Sequence, residues 1–362
     1  MTTELREPKR KMSNILGVFH TLSRLGRLRP GSRNHGTGLA VSLLVAAACC
    51  PPAMFGQGYY SAEAFVVYVA ANGSDDLIWT SGEPAGLWTT GAPIAGQFSA
   101  LPPALTTYNG EIFLAYVANN GSHDLLMATG TGGYWNASTP VTGQSSAMSP
   151  ALTMFGDELV LAYVANNGTH DLLVTTSTDG VNWTAGTKVG TQSSSVAPAL
   201  TTFGTELVLA YVANDGTDDL LVTTSTNGVN WTGSTKVTGQ TTSMSPALTA
   251  FNGELVLAYI ANNGSHDLLV TTSTNAASWT TGTAVTGQTS PVTPALSVIP
   301  NPTSSDSPFI TFNLMMVYVA NNGSNDLIVT TSANGSAWTT GTPITGQSSR
   351  ITPALCIEEV YH

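Results

Sequence analysis

Positive charge is nearly missing from most of this chain. Of the 11 Lys and Arg among 362 residues, eight lie before residue 34, and beyond residue 50 only Lys188, Lys236 and Arg350 remain. The same stretch holds 20 of the 22 acidic residues, so it is acidic as well as poor in charge. Phosphates are bound by clustered Lys and Arg, which argues against nucleic acid as a partner and against an anionic membrane surface. Cysteine is scarce too: Cys49, Cys50 and Cys356 are the three. If a leader is removed beyond Cys50, one thiol is left, which cannot form an internal disulfide. Stability must then come from an apolar core.

A long apolar run is also lacking. The best stretch, Leu39–Ala48, is ten residues, whereas a membrane-spanning helix needs ~20. It follows Arg24, Arg27, Arg29 and Arg33 and ends in small side chains. That order suits the h-region of an export signal better than a membrane anchor or a buried helix. Residues 1–50 are therefore read as a basic segment with a signal peptide, and 51–62 as a linker. Cleavage after Ala48 or near Ala53 gives a secreted, cell-surface or periplasmic protein that is not integral to a membrane. The string Ala46-Ala47-Ala48-Cys49 resembles a bacterial lipoprotein signal, with a lipid anchor at Cys49, and departs from it at Ala46, where Leu or Val is usual.

What the chain has in abundance is repetition. Tyr68, Tyr116, Tyr163, Tyr211, Tyr259 and Tyr318 each sit in a variant of Ala-Tyr-Val-Ala-Asn-Asn-Gly-Ser-His-Asp-Leu-Leu, at steps of 48, 47, 48, 48 and 59 residues. Such a period, with about four short strands per unit, predicts an all-β, six-bladed β-propeller of four-stranded antiparallel blades over residues 63–362. Within a repeat, Glu206–Ala213 is apolar at nearly every position, as expected of a strand covered on both faces. Asn-Gly and Asp-Gly pairs mark hairpin corners, where type I′ turns require positive φ. The first repeat lacks its Pro-Ala-Leu strand, and the chain ends on an unpartnered Thr352–Tyr361. The C-terminal strand is thus expected to complete blade 1 and close the ring, leaving no long edge. The longer fifth step is assigned to the Pro- and Ser-rich insert Ile299–Pro308 of the sixth repeat, read as a surface loop.

At the third hairpin of the repeats, Ser177-Thr-Asp-Gly-Val-Asn-Trp183 resembles the Asp-box of sialidases and many secreted bacterial propellers. Parallel stretches run Ser225–Trp231, Ser273–Trp279 and Ser332–Trp338, with Asp179 the one Asp where the other copies have Asn. In that family the box is a structural hairpin away from the active site, so the resemblance implies fold and not catalysis. Asn214-Asp-Gly-Thr-Asp-Asp-Leu220 is similar to the calcium loop of integrin-type and fungal lectin propellers. Tyr211 and Ala213 stand where its early oxygen ligands would be, leaving about two carboxylates where Ca²⁺ wants 6 to 8 oxygens. No metal and no cofactor are expected.

The sialidases of this resemblance hold a sialic-acid carboxylate with three arginines, and one remains here beyond residue 50, Arg350. Other glycoside hydrolases need two carboxylates facing one bond. Here the acids mostly recur once per repeat, as do Glu111, Glu158, Glu206 and Glu254. His123, His170 and His266 recur in three repeats, in blades too far apart to share a metal ion. A catalytic centre breaks symmetry and these residues obey it, so the chain is read as no enzyme. Strand direction puts the second hairpin of each blade and the linker to the next on one rim. That rim is expected to carry Asp76, Asp124, Asp171, Asp219, Asp267 and Asp326, with Gln97, Gln144, Gln192, Gln240, Gln288 and Gln347 at the blade junctions. Carboxylate, amide and hydroxyl groups in shallow clefts suit sugar hydroxyls, and six copies would add avidity. The expected function is a multivalent, lectin-like carbohydrate-binding protein whose partners are glycans or cell-surface components. A structural or adhesive module is the alternative, and a sialidase-like hydrolase is disfavoured. The residues themselves leave a plainer role open: Asp can cap backbone N–H groups, Gln can tie linker to blade, and Trp can pack over a hairpin. Nine Asn-x-Ser/Thr sequons, among them Asn120-Gly-Ser, would crowd this rim with glycans in a eukaryotic host, so the reading leans on a bacterial one.

Overall fold

The computed structural model describes residues 60–301 and 311–361. The basic segment 1–50, Cys49 and most of the 299–308 insert lie outside the described residues. Within them the chain forms six antiparallel sheets, one per blade. Blade 4 shows the plan, with strands Ala199–Phe203, Glu206–Val212, Asp219–Ser225 and Thr235–Thr241 paired in that order. Blade 1 is assembled from both ends of the chain. Ala354–Tyr361 pairs antiparallel with Tyr60–Val69, from Tyr60 opposite Tyr361 to Val67 opposite Ala354, ahead of Asp76–Gly82 and Ala92–Phe98. The strand that opens this blade begins at Tyr60, inside the stretch read as linker.

The first strands form the inner ring. Each meets the first strand of the neighbouring blade all the way round, and Ala354–Tyr361 touches both Ala104–Tyr108 and Ala295–Asn301. The apolar second strands are buried on both faces: Leu159, Val160, Leu161, Ala162, Tyr163 and Val164 are each at most 1% exposed. The hydrophobic clusters bridge blades. One joins Val208, Ala210, Val212 and Leu220 of blade 4 to Leu255, Leu257 and Tyr259 of blade 5. Each such Leu contributes roughly 1.5–3 kcal/mol by leaving water, so the seams between blades are the core of the molecule.

Three local expectations are refined. The type I′ turn holds at Asn109-Gly110 and Asn252-Gly253, where both residues have positive φ. At the second hairpins the loop is longer, and positive φ falls instead on the Gly and on the residue before the repeated Asp, as at Gly168 and His170. In blade 6 Ile299, Pro300 and Asn301 are not loop but strand, paired with Asn313, Phe312 and Thr311. The fourth strands also carry a bulge: Asp219 pairs with Thr241 while Leu221 pairs with Lys236. Gly239 sits inside that bulge at φ 76°, a backbone open mainly to glycine.

Candidate functional site

The rim expected from the sequence exists, with a division of labour among its residues. The six aspartates each open the third strand of a blade, at Asp76, Asp124, Asp171, Asp219, Asp267 and Asp326. Four of the carboxylates are held locally. Ser74 and Ser265 donate to Asp76 and Asp267 at 2.5 and 2.6 Å, and Thr169 donates to Asp171 at 2.7 Å. Lys188 and Lys236 pair with Asp171 and Asp219 at 2.6 Å each. The Lys188 ammonium and the Thr169 hydroxyl hold the Asp171 carboxyl below its ordinary range. The backbone N–H groups of Asp124 and Asp326 donate to Ser122 and Ser324.

Exposed amides crown these turns. Asn72, Asn119, Asn120, Asn166, Asn167, Asn262, Asn263, Asn321 and Asn322 are open to solvent. Two of them bridge blades, since Asn119 donates to Asp75 and Asn262 to Asp218, both at 2.9 Å. The bridged residue belongs to a ring of six in left-handed backbone: Asp75, His123, His170, Asp218, His266 and Asn325, at φ 56–59°. Asn, Asp and His are the side chains most enriched there. The three histidines thus have a conformational reason for their place, which sequence spacing alone does not reveal.

The glutamines lie behind the rim, in the seams. Gln97, Gln240, Gln288 and Gln347 are buried, and Gln144 and Gln192 half-buried. Each reaches into the next blade in one of two ways. The phenols of Tyr163, Tyr259 and Tyr68 donate to the side-chain carbonyls of Gln144, Gln240 and Gln347. At the other three seams the Gln amide donates to a backbone carbonyl instead: Gln97 to Asn136 at 3.0 Å, Gln192 to Thr232 at 3.3 Å and Gln288 to Thr339 at 2.9 Å. At five of the six seams the choice tracks one residue; the exception is blade 6, where Gly341 stands at that place and Gln288 nevertheless donates to Thr339. Where Ser138 and Ser234 are present, Tyr116 and Tyr211 bond to them. At Gly91, Gly186 and Gly282 a Cβ would strike the Tyr hydroxyl and the Gln carbonyl, so the bare backbone admits the pair. Burial pushes the phenols of Tyr68, Tyr163, Tyr259 and Tyr318 up to about 12. Twelve residues read as one site are therefore two sets, aspartates on the surface and glutamines in the seams.

The opposite face carries the first turns and the third hairpins. In blade 3 the Asp179 carboxylate accepts from the backbone N–H of Val181 at 2.9 Å and of Asn182 at 2.7 Å. Those N–H groups and the Asn182 amide hold it well below the usual carboxylate range. The indole N–H groups of Trp183, Trp231 and Trp279 donate to the carbonyls of Gly180, Gly228 and Ala276. The tryptophans also pack against the hydrophobic clusters that span their own blade and the preceding one. Among the described residues no group of three His, Cys, Asp or Glu is placed to hold a metal ion, and no helix is long and apolar enough to cross a membrane.

With this geometry in place, the ring can be set beside known proteins. No family model matches the chain, and no curated protein does. Solved structures do match. Aleuria aurantia lectin, a fungal lectin with a six-bladed propeller and a fucose recognition mode, superimposes at TM-score 0.59 and 14% identity over 81% of this chain and 97% of its own. AofleA from Arthrobotrys oligospora gives 0.57 at 12% identity, over 83% and 92%. The α-L-arabinofuranosidase Arb93A from Fusarium graminearum gives 0.51 at 16%, over 74% and 92%. The likeness is one of fold. Because a lectin and a glycosidase share it, activity has to be argued from side chains.

Proposed function

We propose that this protein is a non-enzymatic, multivalent carbohydrate-binding propeller, exported from the cell, whose partners are glycans or other cell-surface components. The observation that carries the reading is the ring of equivalent second hairpins, each presenting exposed amides beside a carboxylate on a backbone fixed by its left-handed residue. Such groups both donate to and accept from sugar hydroxyls. Asp76, Asp124, Asp171, Asp219, Asp267 and Asp326 are the proposed contacts at this rim. Gln97, Gln144, Gln192, Gln240, Gln288 and Gln347 set the distance between neighbouring sites by tying the seams. Several weak sites on one rigid disc gain avidity on a surface that displays many copies of one glycan. Aleuria aurantia lectin, with the same ring, recognises fucose, so a ring of this size has room for sugars.

The non-enzymatic reading rests on symmetry. Most of the acidic residues recur blade by blade, Glu83 of blade 1 being an exposed exception, whereas a hydrolase needs one asymmetric pair across one bond. A second reading, a module that adheres to protein or envelope, draws on the other face. There Leu87, Tyr134, Val181 and Val229 are 95, 86, 56 and 60% exposed at the third-hairpin tips of four consecutive blades. Agglutination of glycan-coated beads separates the two. A multivalent carbohydrate binder clumps beads and releases them on addition of free sugar, whereas clumping that free sugar leaves intact supports adhesion.

A further inference from the structure

A cleft of about 240 Å³ opens at blade 5 on the face opposite the asparagine rim, walled by Glu254, Thr272, Thr274, Ser278 and Trp279. Its carboxylate comes from the head of the second strand, where Glu254 pairs with Phe251. Its hydroxyls come from the third strand and the hairpin that follows. Some of the cleft's polar groups are already committed within the protein: Thr280 accepts from the Thr272 backbone N–H at 2.9 Å, and Ser273 donates to Asn275 at 3.2 Å. The indole N–H of Trp279 is spent on Ala276 at 3.2 Å. What faces the cleft is thus a carboxylate, the hydroxyls of Thr274 and Ser278, and the carbon surface of an indole.

Blade 5 differs from its neighbours in ways that open this space. Blades 3 and 4 place Val181-Asn182 and Val229-Asn230 in the hairpin where blade 5 has the shorter Ala277-Ser278. Blade 6 also has small residues, Ser336-Ala337, but the register that sets Leu255 opposite Ser273 and Leu314 opposite Ser332 puts Asn313 in the place of Glu254. Blade 1 has Glu63, but its hairpin, of the same length, carries a second carboxylate, Glu83, and the large Leu87, and blade 2 has the bulky Tyr134. Among the described blades, only the fifth joins the glutamate to a hairpin tip of small side chains, Ala277 and Ser278.

We propose that this cleft binds one ring of a neutral sugar through a vicinal diol. The Glu254 carboxylate accepts hydrogen bonds from two adjacent hydroxyls, each roughly twice as strong as a neutral bond. Trp279 covers an apolar C–H side of the ring. The volume lies below the roughly 300–1,000 Å³ of sites for larger ligands, which fits a single ring. No Lys or Arg is among the lining residues, so a uronic or sialic acid would meet a carboxylate with no counter-charge. The site shares its ligand class with the rim reading but stands on a different face and occurs once.

The test is a saturation-transfer and tryptophan-fluorescence titration of the full-length protein with methyl glycosides of neutral hexoses and 6-deoxyhexoses, with methyl glucuronide as the acidic probe. The expected result is binding of neutral glycosides without the glucuronide, at least tenfold weaker in Glu254→Asn and abolished in Ser278→Asn. Both variants carry a residue that the fold already seats at the equivalent place, Asn313 or Asn182 and Asn230, and an unchanged melting temperature verifies their folding. Neutral binding that survives both substitutions overturns the cleft while leaving the carbohydrate reading to the rim. Equal binding of the glucuronide overturns it as well. If no glycoside binds and beads coated with diverse glycans do not clump, both the cleft and the carbohydrate reading fall.

Discussion

Gly282 illustrates how a single hydrogen atom decides a seam. A Cβ there would collide with the Tyr259 hydroxyl and crowd the Gln240 carbonyl. Gly282→Ala should therefore cost about 1–3 kcal/mol through overpacking and a broken buried hydrogen bond, read as a lower melting temperature. Gly282→Ser should cost less, because Ser138 and Ser234 show the alternative in which Tyr bonds to Ser and Gln turns to a backbone carbonyl. If Ser proves as harmful as Ala, the two-mode account of the seam is wrong. The repeated Tyr and Gln are plain in the sequence, yet their pairing stays hidden there because the partners lie in neighbouring blades. The Asp residues are legible as turn formers, and the reason for His at their side is not, since left-handed backbone leaves no periodic trace. Glu358 leaves no mark in the sequence beyond its place in the closing strand. Its side chain is buried, and desolvation first, with the nearby Glu63 charge, raises its pKa against the hydrogen bond to Gly132. A raised carboxyl stabilises the fold while protonated and loses that contribution as pH climbs through the folded-state value. Glu358→Gln should therefore raise the melting temperature at pH 7 and change it little in acid. A melting series across pH checks this, and a gain confined to acid would contradict it.

At the scale of strands, most of the fold can be read in advance because each blade states the same pattern. The apolar second strand, the polar turn and the split first blade all recur in the structure as expected. What periodicity cannot supply is the bulge in the fourth strand, which aims the Gln into the seam, since Gly in a polar linker reads equally well as a turn. The three strand residues assigned to loop in blade 6, Ile299, Pro300 and Asn301, fail for a related reason: proline reads as a breaker, yet it is tolerated where its strand has no partner on one side. Closure makes a sharp demand on the C-terminus. Residues 354–361 supply eight register pairs to blade 1 and contact the first strands on both sides. Truncation at residue 353 should abolish the cooperative unfolding transition and expose the blade 1 edge to aggregation. A truncated chain that still melts in one sharp step would show that the ring does not depend on its closing strand.

For the molecule as a whole, stability resides in six interblade seams and function in the surfaces they hold level. Four phenols raised to about 12 lie in those seams. Their contribution is complete below the ordinary tyrosine value of ~10 and is lost as pH rises toward 12. The ring should thus stay folded to about pH 10 and weaken between 10 and 12, with phenolate absorbance appearing together with unfolding. Phenolate absorbance that grows in while the fold stays intact would place these rings in water. The propeller carries little positive charge: its two lysines are paired to Asp171 and Asp219 and Arg350 is its one further Lys or Arg, so the carbohydrate binding proposed for it is expected to favour neutral glycans. Binding of the full-length protein to a broad glycan array tests this most directly. The account predicts retention on neutral glycans, strengthened at high glycan density, with acidic glycans blank; a blank array, or retention confined to sialylated and uronic-acid glycans, would contradict it.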